Sequence, residues 1–299
     1  MFVIEDLTVV LGGSGDIGSV LVARLKTSGC RYLAPSSTQV NLTDASSTQT
    51  FFLTISEPYV LVFAAFLDRR QGDTEQTLKL NLQMVENVVN FAKPSAVIFL
   101  SSMDVYGKNP KLPITESNTT DETSFYSQAK LFAESKLAES FGGKVKLMVL
   151  RLPGVYGGHG PRNAALDRII TKGINEGQID IGDGGTLLRD WIYAEDLARF
   201  LIESIVKPIE GLFNFATGES WTINHYVSEC LVETQEVRHQ IKSIDRATKS
   251  QTAADHVFDN KMLSMTFPAW QFDDRSLSLK KFTEVTKNHL NKSNNESPK

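Results

Sequence analysis

The sequence predicts an α/β fold in which a doubly wound parallel sheet carries a second, smaller mixed α/β lobe. Short apolar runs of strand length alternate with segments of helical period through the first half of the 299-residue chain. A glycine-rich turn follows the first run, and the alternation becomes irregular after Leu152. These observations predict parallel strands, a ligand crevice at one sheet edge and a different architecture in the second half.

Four runs are mostly apolar and rich in β-branched residues, as strands buried on both faces are. They are Leu7–Leu11, Tyr59–Ala65, Ala96–Ser102 and Val145–Leu152. Helical segments are predicted between them, over Ile17–Ser28, Asp73–Ala92 and Ser124–Phe141. Repeated strand and helix in this order predict right-handed crossovers and a parallel sheet.

The second half mixes glycine-rich loops with short strands and helices. Residues 1–152, joined by about 190–217, are predicted to form the larger domain. Residues about 153–189 and 218–290 form the smaller lobe. Residues 291–299 lack apolar side chains, so we expect this tail to fray.

Composition and charge exclude several classes of partner. A net charge of -4 and a pI near 5.8 provide no basic field for nucleic acid or an anionic membrane. The segment Met1–Asp6 carries two acids and no lysine or arginine, and no apolar run reaches the ~18 residues of a membrane span. Cys30 and Cys230 have no metal-type spacing. We therefore expect a cytoplasmic protein with a small-molecule partner, reduced thiols and no metal site.

The glycine-rich turn reads VVLGGSGDIGSVL and places Gly12, Gly15 and Gly18 between a strand and a helix. Glycine tightens such a turn and brings backbone N–H groups and the helix N-terminus against a pyrophosphate. A plain tight turn is the alternative. The flanking strand and helix favour dinucleotide binding by the larger domain.

The residues after this turn bear on the choice of dinucleotide. An acid about 20 residues downstream usually holds the adenosine ribose, but there is no Asp or Glu from Ile17 through Thr43. Ser36 and Ser37 offer hydroxyl groups at the end of the second strand, where a 2′-phosphate meets no negative charge. NADP(H) is therefore favoured over NAD(H); an ordinary serine-rich turn remains the alternative.

Three residues form a candidate catalytic set. Ser102 ends a predicted strand, and Tyr126 and Lys130 lie four residues apart on one face of a predicted helix. A lysine ammonium is expected to lower the pKa of the phenol, so that Tyr126 exchanges a proton while Ser102 binds the reacting oxygen. A chance pair on an amphipathic helix is the alternative, and the upstream serine and glycine turn argue against it.

Taken together, these motifs resemble the extended short-chain dehydrogenase/reductases of the NAD-dependent epimerase/dehydratase family. The resemblance runs from about Leu7 to His289 and rests on GGSGDIG, SSMDVYG, YSQAK, LRLPGVYG, GDGGTLLRDWIYAEDLA and FNFATGES in the family order. It implies a Rossmann-type domain holding a nicotinamide cofactor, a second lobe holding a nucleotide sugar, and a homodimer packed through the second and third predicted helices.

The resemblance also implies roles for individual residues. Ser102, Tyr126 and Lys130 match the catalytic Ser/Thr and the Tyr-x-x-x-Lys pair. Arg189 matches an arginine that approaches the substrate diphosphate, and Asp104 lies beside the substrate; a salt bridge from Arg189 to Asp190 or Asp196 is the alternative. The implied cofactor contacts are Gly12, Ser14, Gly15, Asp16, Ile17, Gly18, Ser36, Ser37, Ala64, Ala65, Tyr126 and Lys130.

Departures from the family pattern narrow the reaction. Met103 stands where sugar dehydratases carry an acid, and Asp104 stands where GDP-fucose synthases carry a cysteine. Gly154 replaces an asparagine that often contacts the diphosphate. A very short third strand expected within residues 34–44, followed by a helix, resembles the layout of 4-keto sugar reductases.

The predicted function is therefore reduction of a 4-keto nucleotide sugar to a deoxysugar nucleotide. A 4-epimerase that retains NAD is the nearest alternative, and a non-catalytic NAD(P)-sensing or scaffold protein is the alternative from another class. The segment Asp68–Arg70 either lines the crevice or forms a solvated loop. His159 and Arg162 are interpreted as solvated loop residues.

Overall fold

The computed structural model describes residues 6–159, 164–231, 240–244 and 254–296, which divide into two units. The first comprises the described chain up to Pro110, Glu116–Leu152 and Ala198–Phe215. The second comprises Lys111–Thr115, Pro153–Leu197 and the described residues from Ala216 onward. The chain leaves the first unit after Leu152, where the sequence pattern changes, and returns at Ala198 rather than near position 190.

Strands and helices alternate through the first half. They are β1 (Leu7–Leu11), α1 (Asp16–Thr27), β2 (Tyr32–Leu33), α2 (Ala45–Leu53), β3 (Tyr59–Phe63), α3 (Glu75–Phe91), β4 (Ala96–Ser102), α4 (Phe125–Phe141) and β5 (Lys146–Leu152). The second half contains β6 (Val155–Tyr156), α5 (Ala165–Glu176), β7 (Gln178–Gly182), β8 (Leu188–Arg189), β9 (Ile192–Tyr193), α6 (Ala194–Val206), β10 (Gly211–Asn214), β11 (Trp221–Thr222), α7 (Ile223–Leu231), β12 (Gln240–Ile244), α8 (Lys261–Thr266) and α9 (Arg275–Glu296).

The first unit is built on a six-stranded sheet in which all neighbouring strands are parallel. Its strand order is β10-β5-β4-β3-β1-β2. Every residue of β1 and β3 is buried, with Val9 opposite Leu61 in the register. Strands covered on both faces are apolar throughout, which is why they appear in the sequence as continuous apolar runs. The predicted doubly wound parallel sheet is confirmed.

Helices α3 and α4 pack against each other and against this sheet. Val85 of α3 and Ala133 of α4 are fully buried in the same core as Phe63 and Phe99. Burying aromatic and aliphatic side chains between helices and sheet contributes roughly 1.5–3 kcal/mol for each large side chain. Helix α4 is thereby fixed against the rest of the unit.

The start of α4 is set by a reciprocal cap. The Ser124 hydroxyl accepts a hydrogen bond from the Ser127 N–H at 3.0 Å, and the Ser127 hydroxyl accepts one from the Ser124 N–H at 3.1 Å. Such a capping box satisfies two N–H groups that a helix otherwise leaves unpaired. Because the helix begins at Phe125, Tyr126 lies in its first turn and Lys130 in its second.

The second unit has small two-stranded sheets instead of one large sheet. Strand β7 pairs with β12 and β6 with β9, both parallel, whereas β8 pairs antiparallel with β11. Its core gathers buried residues from α5, α7 and α9 around Tyr156, Tyr226 and Phe282. This arrangement matches the mixed α/β lobe expected from the sequence.

Two local predictions differ from the structure. Residues 34–44 form turns and no strand, because Gln39 accepts from the Ser36 N–H at 2.8 Å and Asn41 accepts from the Thr43 N–H at 3.1 Å. Short polar side chains of this kind satisfy the backbone locally and compete with strand pairing. Helix α9 continues to Glu296, past position 291 where fraying is expected, since helical hydrogen bonding extends beyond the last apolar residue.

Candidate functional site

The turn between β1 and α1 is shaped by contacts that only glycine permits. A Cβ atom at Gly18 would lie 2.1 Å from the Gly12 carbonyl oxygen, and one at Gly12, where φ is +89°, would lie 2.7 Å from the Ala65 nitrogen. Gly15 is the N-cap of α1, so no side chain covers the first N–H groups of the helix. This exposed helix N-terminus in a tight cradle fits a phosphate group.

The residues after β3 border this cradle. The Ala64 N–H donates to the Leu11 carbonyl at 2.9 Å, which continues the pairing of β1 with β3 beyond the strand ends. The backbone of Ala64 and Ala65 therefore lies directly against Gly12. The structure brings together the glycine turn and the two alanines named from the sequence, at the carboxyl edge of the sheet where ligands of such folds bind.

The end of β2 also lies beside the glycine turn, since a Cβ atom at Gly13 would approach the Ala34 Cβ to 2.8 Å. The Ser36 hydroxyl is 2.8 Å from the Thr38 hydroxyl and donates to Gln39 at 3.1 Å. Ser37 is exposed. This segment is a hydroxyl-rich turn without an acidic residue, which leaves the NADP preference a prediction.

The candidate catalytic residues converge on the end of β4. Ser102 caps the 3₁₀ turn Met103–Tyr106, and its hydroxyl accepts from the Asp104 N–H at 3.2 Å and interacts with the Tyr126 phenol. The Lys130 ammonium donates to the Leu100 carbonyl at 2.7 Å and lies 5.6 Å from the centre of the Tyr126 ring. The hydrogen bond to β4 ties the helical pair to the strand that ends in Ser102.

Burial controls the protonation of this set. It lowers the pKa of Lys130 to about 7, against the opposing effect of the Glu134 carboxylate. Burial also raises the pKa of Tyr126, and the negative charges of Asp104 and Asp68 raise it further. In the chain itself, desolvation outweighs the opposing effects of Ser102 and Arg69, so the phenol of Tyr126 is held protonated. The expectation that Lys130, helped by a positive nicotinamide ring, lowers the pKa of the phenol stays a prediction.

A 3₁₀ turn after β3 contributes charged side chains that the sequence left undecided. Asp68 caps the turn Arg69–Gln71 and pairs with Arg70, which also contacts the Asp16 carboxylate at 2.6 Å. The hydrogen bonds from Arg70 lower the pKa of Asp68, outweighing the opposing effect of burial. Asp16 lies in the first turn of α1, so Arg70 links the segment after β3 to the glycine turn.

Arg69 extends from the same turn toward the catalytic set. Its guanidinium is 3.4 Å from the Asp104 carboxylate, donates to the Ser124 hydroxyl at 3.2 Å and lies 5.9 Å from the centre of the Tyr126 ring. Asp73 accepts the Tyr126 N–H at 3.0 Å. The sequence left Arg69 undecided between the crevice and a solvated loop, and the structure places it beside the catalytic set. Sequence reasoning missed Asp73, which precedes α3.

A buried ion pair lies behind Lys130. Glu134, one turn further along α4, accepts two hydrogen bonds from the Arg151 guanidinium, at 3.0 and 2.7 Å, and one from the Ser101 hydroxyl at 2.5 Å. Paired charges of this kind persist inside proteins because each satisfies the other. Sequence reasoning missed this pair; the spacing of Tyr126, Lys130 and Glu134 at every fourth residue was the available signal.

The predicted substrate residue Arg189 belongs to the second unit. It is buried, and its guanidinium donates to the carbonyl groups of Leu188 at 2.7 Å and Ala254 at 2.9 Å. Asp190, one of its two predicted salt-bridge partners, is 3.6 Å from Arg275, and burial raises its pKa to about 6. The structure thus holds Arg189 through backbone oxygens.

Other residues of the second unit bear on the sequence predictions. A Cβ atom at Gly154 would lie 2.0 Å from the Trp191 ring, so the indole occupies the space into which a side chain at 154 would project. His159 is exposed, and Arg162 lies outside the described residues.

No group of three or more His, Cys, Asp or Glu residues in the described ranges is arranged to hold a metal ion. No described helix is both long and apolar enough to span a membrane.

Two known proteins are similar to this chain in sequence. A dTDP-6-deoxy-L-talose 4-dehydrogenase (NAD(P)(+)) of Kitasatospora kifunensis is 26% identical over 266 residues, 79% of this chain and 81% of the relative. A UDP-glucose 4-epimerase of Corynebacterium glutamicum is 28% identical over 152 residues, 45% of this chain and 46% of the relative.

The fold is shared with solved structures. The UDP-glucose 4-epimerase of Bifidobacterium longum in complex with NAD+ and UDP superposes with a TM-score of 0.77 at 18% identity, covering 95% of this chain and 98% of that one. Residues 8–214 match the model of the NAD dependent epimerase/dehydratase family, a range that contains the glycine turn, the catalytic set and Arg189. The chain therefore belongs to the NAD dependent epimerase/dehydratase family.

Proposed function

We propose that this chain uses a reduced nicotinamide dinucleotide to convert a 4-keto nucleotide sugar into a deoxysugar nucleotide. The observation that carries the proposal is the convergence of Ser102, Tyr126 and Lys130 on the end of β4, with the phenol held protonated. Reduction of a carbonyl needs a proton donor at the oxygen, and a protonated phenol beside that oxygen supplies one.

The bound dinucleotide would supply the hydride. As the carbonyl carbon gains that hydride, the O–H bond of Tyr126 breaks and its proton joins the carbonyl oxygen, which leaves a phenolate. Ser102 donates a hydrogen bond to the same oxygen and orients it. The Lys130 ammonium stabilises the phenolate until a proton from solvent restores the phenol.

We assign the dinucleotide to the first unit. The close backbone approach at Gly12 and Gly18, which leaves no room for a Cβ atom, supports a pyrophosphate site formed by the backbone around Gly12, Gly15 and Gly18. Ser14, Asp16, Ile17, Ala64 and Ala65 lie beside it, and Lys130 would also hold the nicotinamide ribose. NADPH is preferred over NADH, because Ser36 and Ser37 present hydroxyl groups and no carboxylate to a 2′-phosphate.

The proposed substrate is a nucleotide sugar. Ser102 and Asp104 are its candidate contacts in the first unit, and Arg189 is a candidate contact in the second unit, the proposed substrate-binding lobe. The names of the relatives support this class, since one acts on a dTDP-deoxysugar and another on UDP-glucose. Met103 argues against a sugar dehydratase, because a thioether cannot protonate a departing hydroxide.

A 4-epimerase is the second candidate, supported by the similarity to UDP-glucose 4-epimerases. An epimerase returns the hydride it removes and can keep its dinucleotide, whereas a reductase must release it. We favour the reductase because the 4-dehydrogenase aligns over 81% of its length and the epimerase over 46%. A purely sensing or scaffold role is disfavoured, since a sensor needs the glycine turn but not the proton donor.

The active species is proposed to be a homodimer that packs through α3 and α4. Leu78, Leu82 and Val89 of α3 are half-buried within one chain, whereas Val85 is fully buried in its own core. A second copy would cover the half-buried residues. Light scattering at micromolar concentration is expected to give the mass of a dimer, and a monomer would overturn this assignment.

The reductase is tested with purified chain, NADPH and a panel of 4-keto nucleotide sugars that differ in nucleotide. We expect one molecule of NADPH to be consumed for each molecule of sugar reduced, and dialysed protein to be largely free of dinucleotide. Tightly retained NAD, together with interconversion of two 4-epimeric nucleotide sugars, would establish the epimerase instead.

A further inference from the structure

We propose that Arg69 is a positioning residue of the active site, which holds the Asp104 carboxylate and the first turn of α4 and supplies a permanent positive charge beside Tyr126. This inference rests on the proposed function, because it concerns the same proton transfer. It adds a residue from outside the catalytic motifs, carried by the 3₁₀ turn after β3.

Geometry carries the inference. The Arg69 guanidinium meets three parts of the site at once, with the Asp104 carboxylate at 3.4 Å, the Ser124 hydroxyl at 3.2 Å and the Tyr126 ring centre at 5.9 Å. Ser124 caps α4, and Asp104 follows Ser102 in the adjoining turn. A planar guanidinium with five donors can hold such separate partners in one arrangement.

The neighbouring Arg70 holds in place the 3₁₀ turn that carries Arg69. Arg70 pairs with Asp68 and with Asp16 of the glycine turn, and the Asp73 carboxylate accepts the Tyr126 N–H. One short segment therefore connects the phosphate cradle to the proton donor. We infer that Arg70 affects binding of the dinucleotide and that Arg69 affects proton transfer from Tyr126.

A second cation has a clear use in this site. Four carboxylates lie around the catalytic set, namely Asp68 and Asp73 after β3, Asp104 after β4 and Glu134 on α4. Lys130 is buried among them, and Arg151 pairs with Glu134. Burial lowers the pKa of Lys130 to about 7, so its charge weakens above neutrality. Arginine stays charged throughout the working range. Arg69 thus keeps a positive charge beside the phenolate formed after proton transfer.

The first test needs no substrate. In protein with ¹³C-labelled aspartate, the carboxyl of Asp104 is titrated by NMR and assigned by its loss in Asp104→Asn. Arg69→Met is expected to raise the pKa of Asp104 by about half to one unit, because the carboxylate loses a positive charge that solvent partly screens. Arg69→Lys should bring the pKa most of the way back to the wild-type value. Arg31→Met, which removes a surface pair with Glu57, is the matched control and should leave this titration unchanged.

The second test measures kcat/KM as a function of pH. The reaction measured is reduction, or epimerisation should the chain prove to be an epimerase. In reduction, the fall of kcat/KM at high pH should move upward by about half to one pH unit in Arg69→Met and return in Arg69→Lys. Arg70→Met should instead raise the KM for the dinucleotide without moving the profile.

These readouts separate the two proposals. Failure of every 4-keto sugar to react refutes the reductase, whereas Arg69 is still judged by the Asp104 titration. An unchanged Asp104 titration in Arg69→Met overturns the ion pair and with it the inference. A shifted titration with an unshifted pH profile overturns the role of the charge in proton transfer.

Discussion

The glycine turn and the catalytic set lie at the same edge of one sheet, but one is formed by backbone atoms and the other by side chains. The turn is made of backbone, and its shape is fixed by distances that exclude a Cβ atom at Gly12 and Gly18. The catalytic set is made of side chains, and its properties follow from burial around Tyr126 and Lys130. The shape of the turn depends on glycine at particular positions, whereas the protonation of the catalytic set depends on the residues packed around it.

This difference explains what each region tolerates. A backbone cradle binds any group of the right charge and size, so we expect it to set the affinity for a dinucleotide. The half-buried Tyr126 phenol and the buried Lys130 ammonium acquire their chemistry from desolvation and from neighbours such as Asp104. Substitutions in the turn should therefore change binding, and substitutions in the set should change turnover.

The largest effect is expected from Tyr126→Phe. Loss of the general acid should lower kcat by about 10² or more while the dinucleotide dissociation constant stays nearly unchanged. Steady-state kinetics and fluorescence titration with NADPH measure the two quantities, and Tyr32→Phe at the start of β2 is the control. Full activity in the variant would remove Tyr126 from the mechanism.

The complementary change is Gly18→Ala. The new Cβ atom would lie 2.1 Å from the Gly12 carbonyl oxygen, so the turn must shift. Overpacking of this kind costs about 1–3 kcal/mol, which corresponds to a roughly fivefold to 150-fold weaker dinucleotide complex. Gly29→Asn is the control, because nothing lies within 4 Å of a Cβ there and asparagine tolerates its positive φ. Equal NADPH affinity in Gly18→Ala and wild type would contradict the cradle.

Lys130→Met tests the buried cation through stability. Burial lowers the folded-state pKa of Lys130 from 10.5 to about 7, so between these values the unfolded chain binds more protons. Lys130 therefore makes the free energy of unfolding rise with pH across this window, by at most about 1.4 kcal/mol per pH unit, and its penalty is fully present below pH 7.

The methionine variant should lose this contribution to the slope. Urea denaturation at several pH values between 7 and 10 measures it, with Lys136→Met on the exposed face of the same helix as the control. If the free energy of unfolding depends on pH in the same way in Lys130→Met and wild type, folding does not lower the pKa of Lys130.

The smallest effect is expected at the edge of the cradle. Ser36→Asp places a carboxylate where a 2′-phosphate is proposed to bind, and repulsion should shift the ratio of kcat/KM values from NADPH toward NADH by about tenfold. Ser28→Asp at the far end of α1 is the matched control. An unchanged ratio would indicate that the adenosine ribose does not reach Ser36.

The sequence was sufficient for the parts of the molecule that depend on local pattern. Strands β1, β3, β4 and β5 were predictable because burial on both faces demands continuous apolar residues. The candidate set was predictable because Tyr126 and Lys130 share one helix face and Ser102 ends a strand. Each of these signals lies within a few residues of chain.

The remaining features depend on residues far apart in sequence. Arg69 meets Asp104, and Glu134 meets Arg151, only once the sheet has formed. The extent to which burial raises the pKa of Tyr126 in the chain itself was not readable from the sequence, because burial is a property of tertiary packing. The turns within residues 34–44 depend on side-chain hydrogen bonds that compete with strand pairing.

Isotope tracing tests the central claim most directly. The chain is incubated with a 4-keto nucleotide sugar and NADPH in which both hydrogens at C4 of the nicotinamide are replaced by deuterium, and the product is analysed by mass spectrometry and NMR. The proposed reductase predicts one deuterium on C4 of the sugar for each NADPH oxidised, with the Tyr126→Phe variant slower by about 10². A product without deuterium, formed while the added NADPH stays intact, would contradict it.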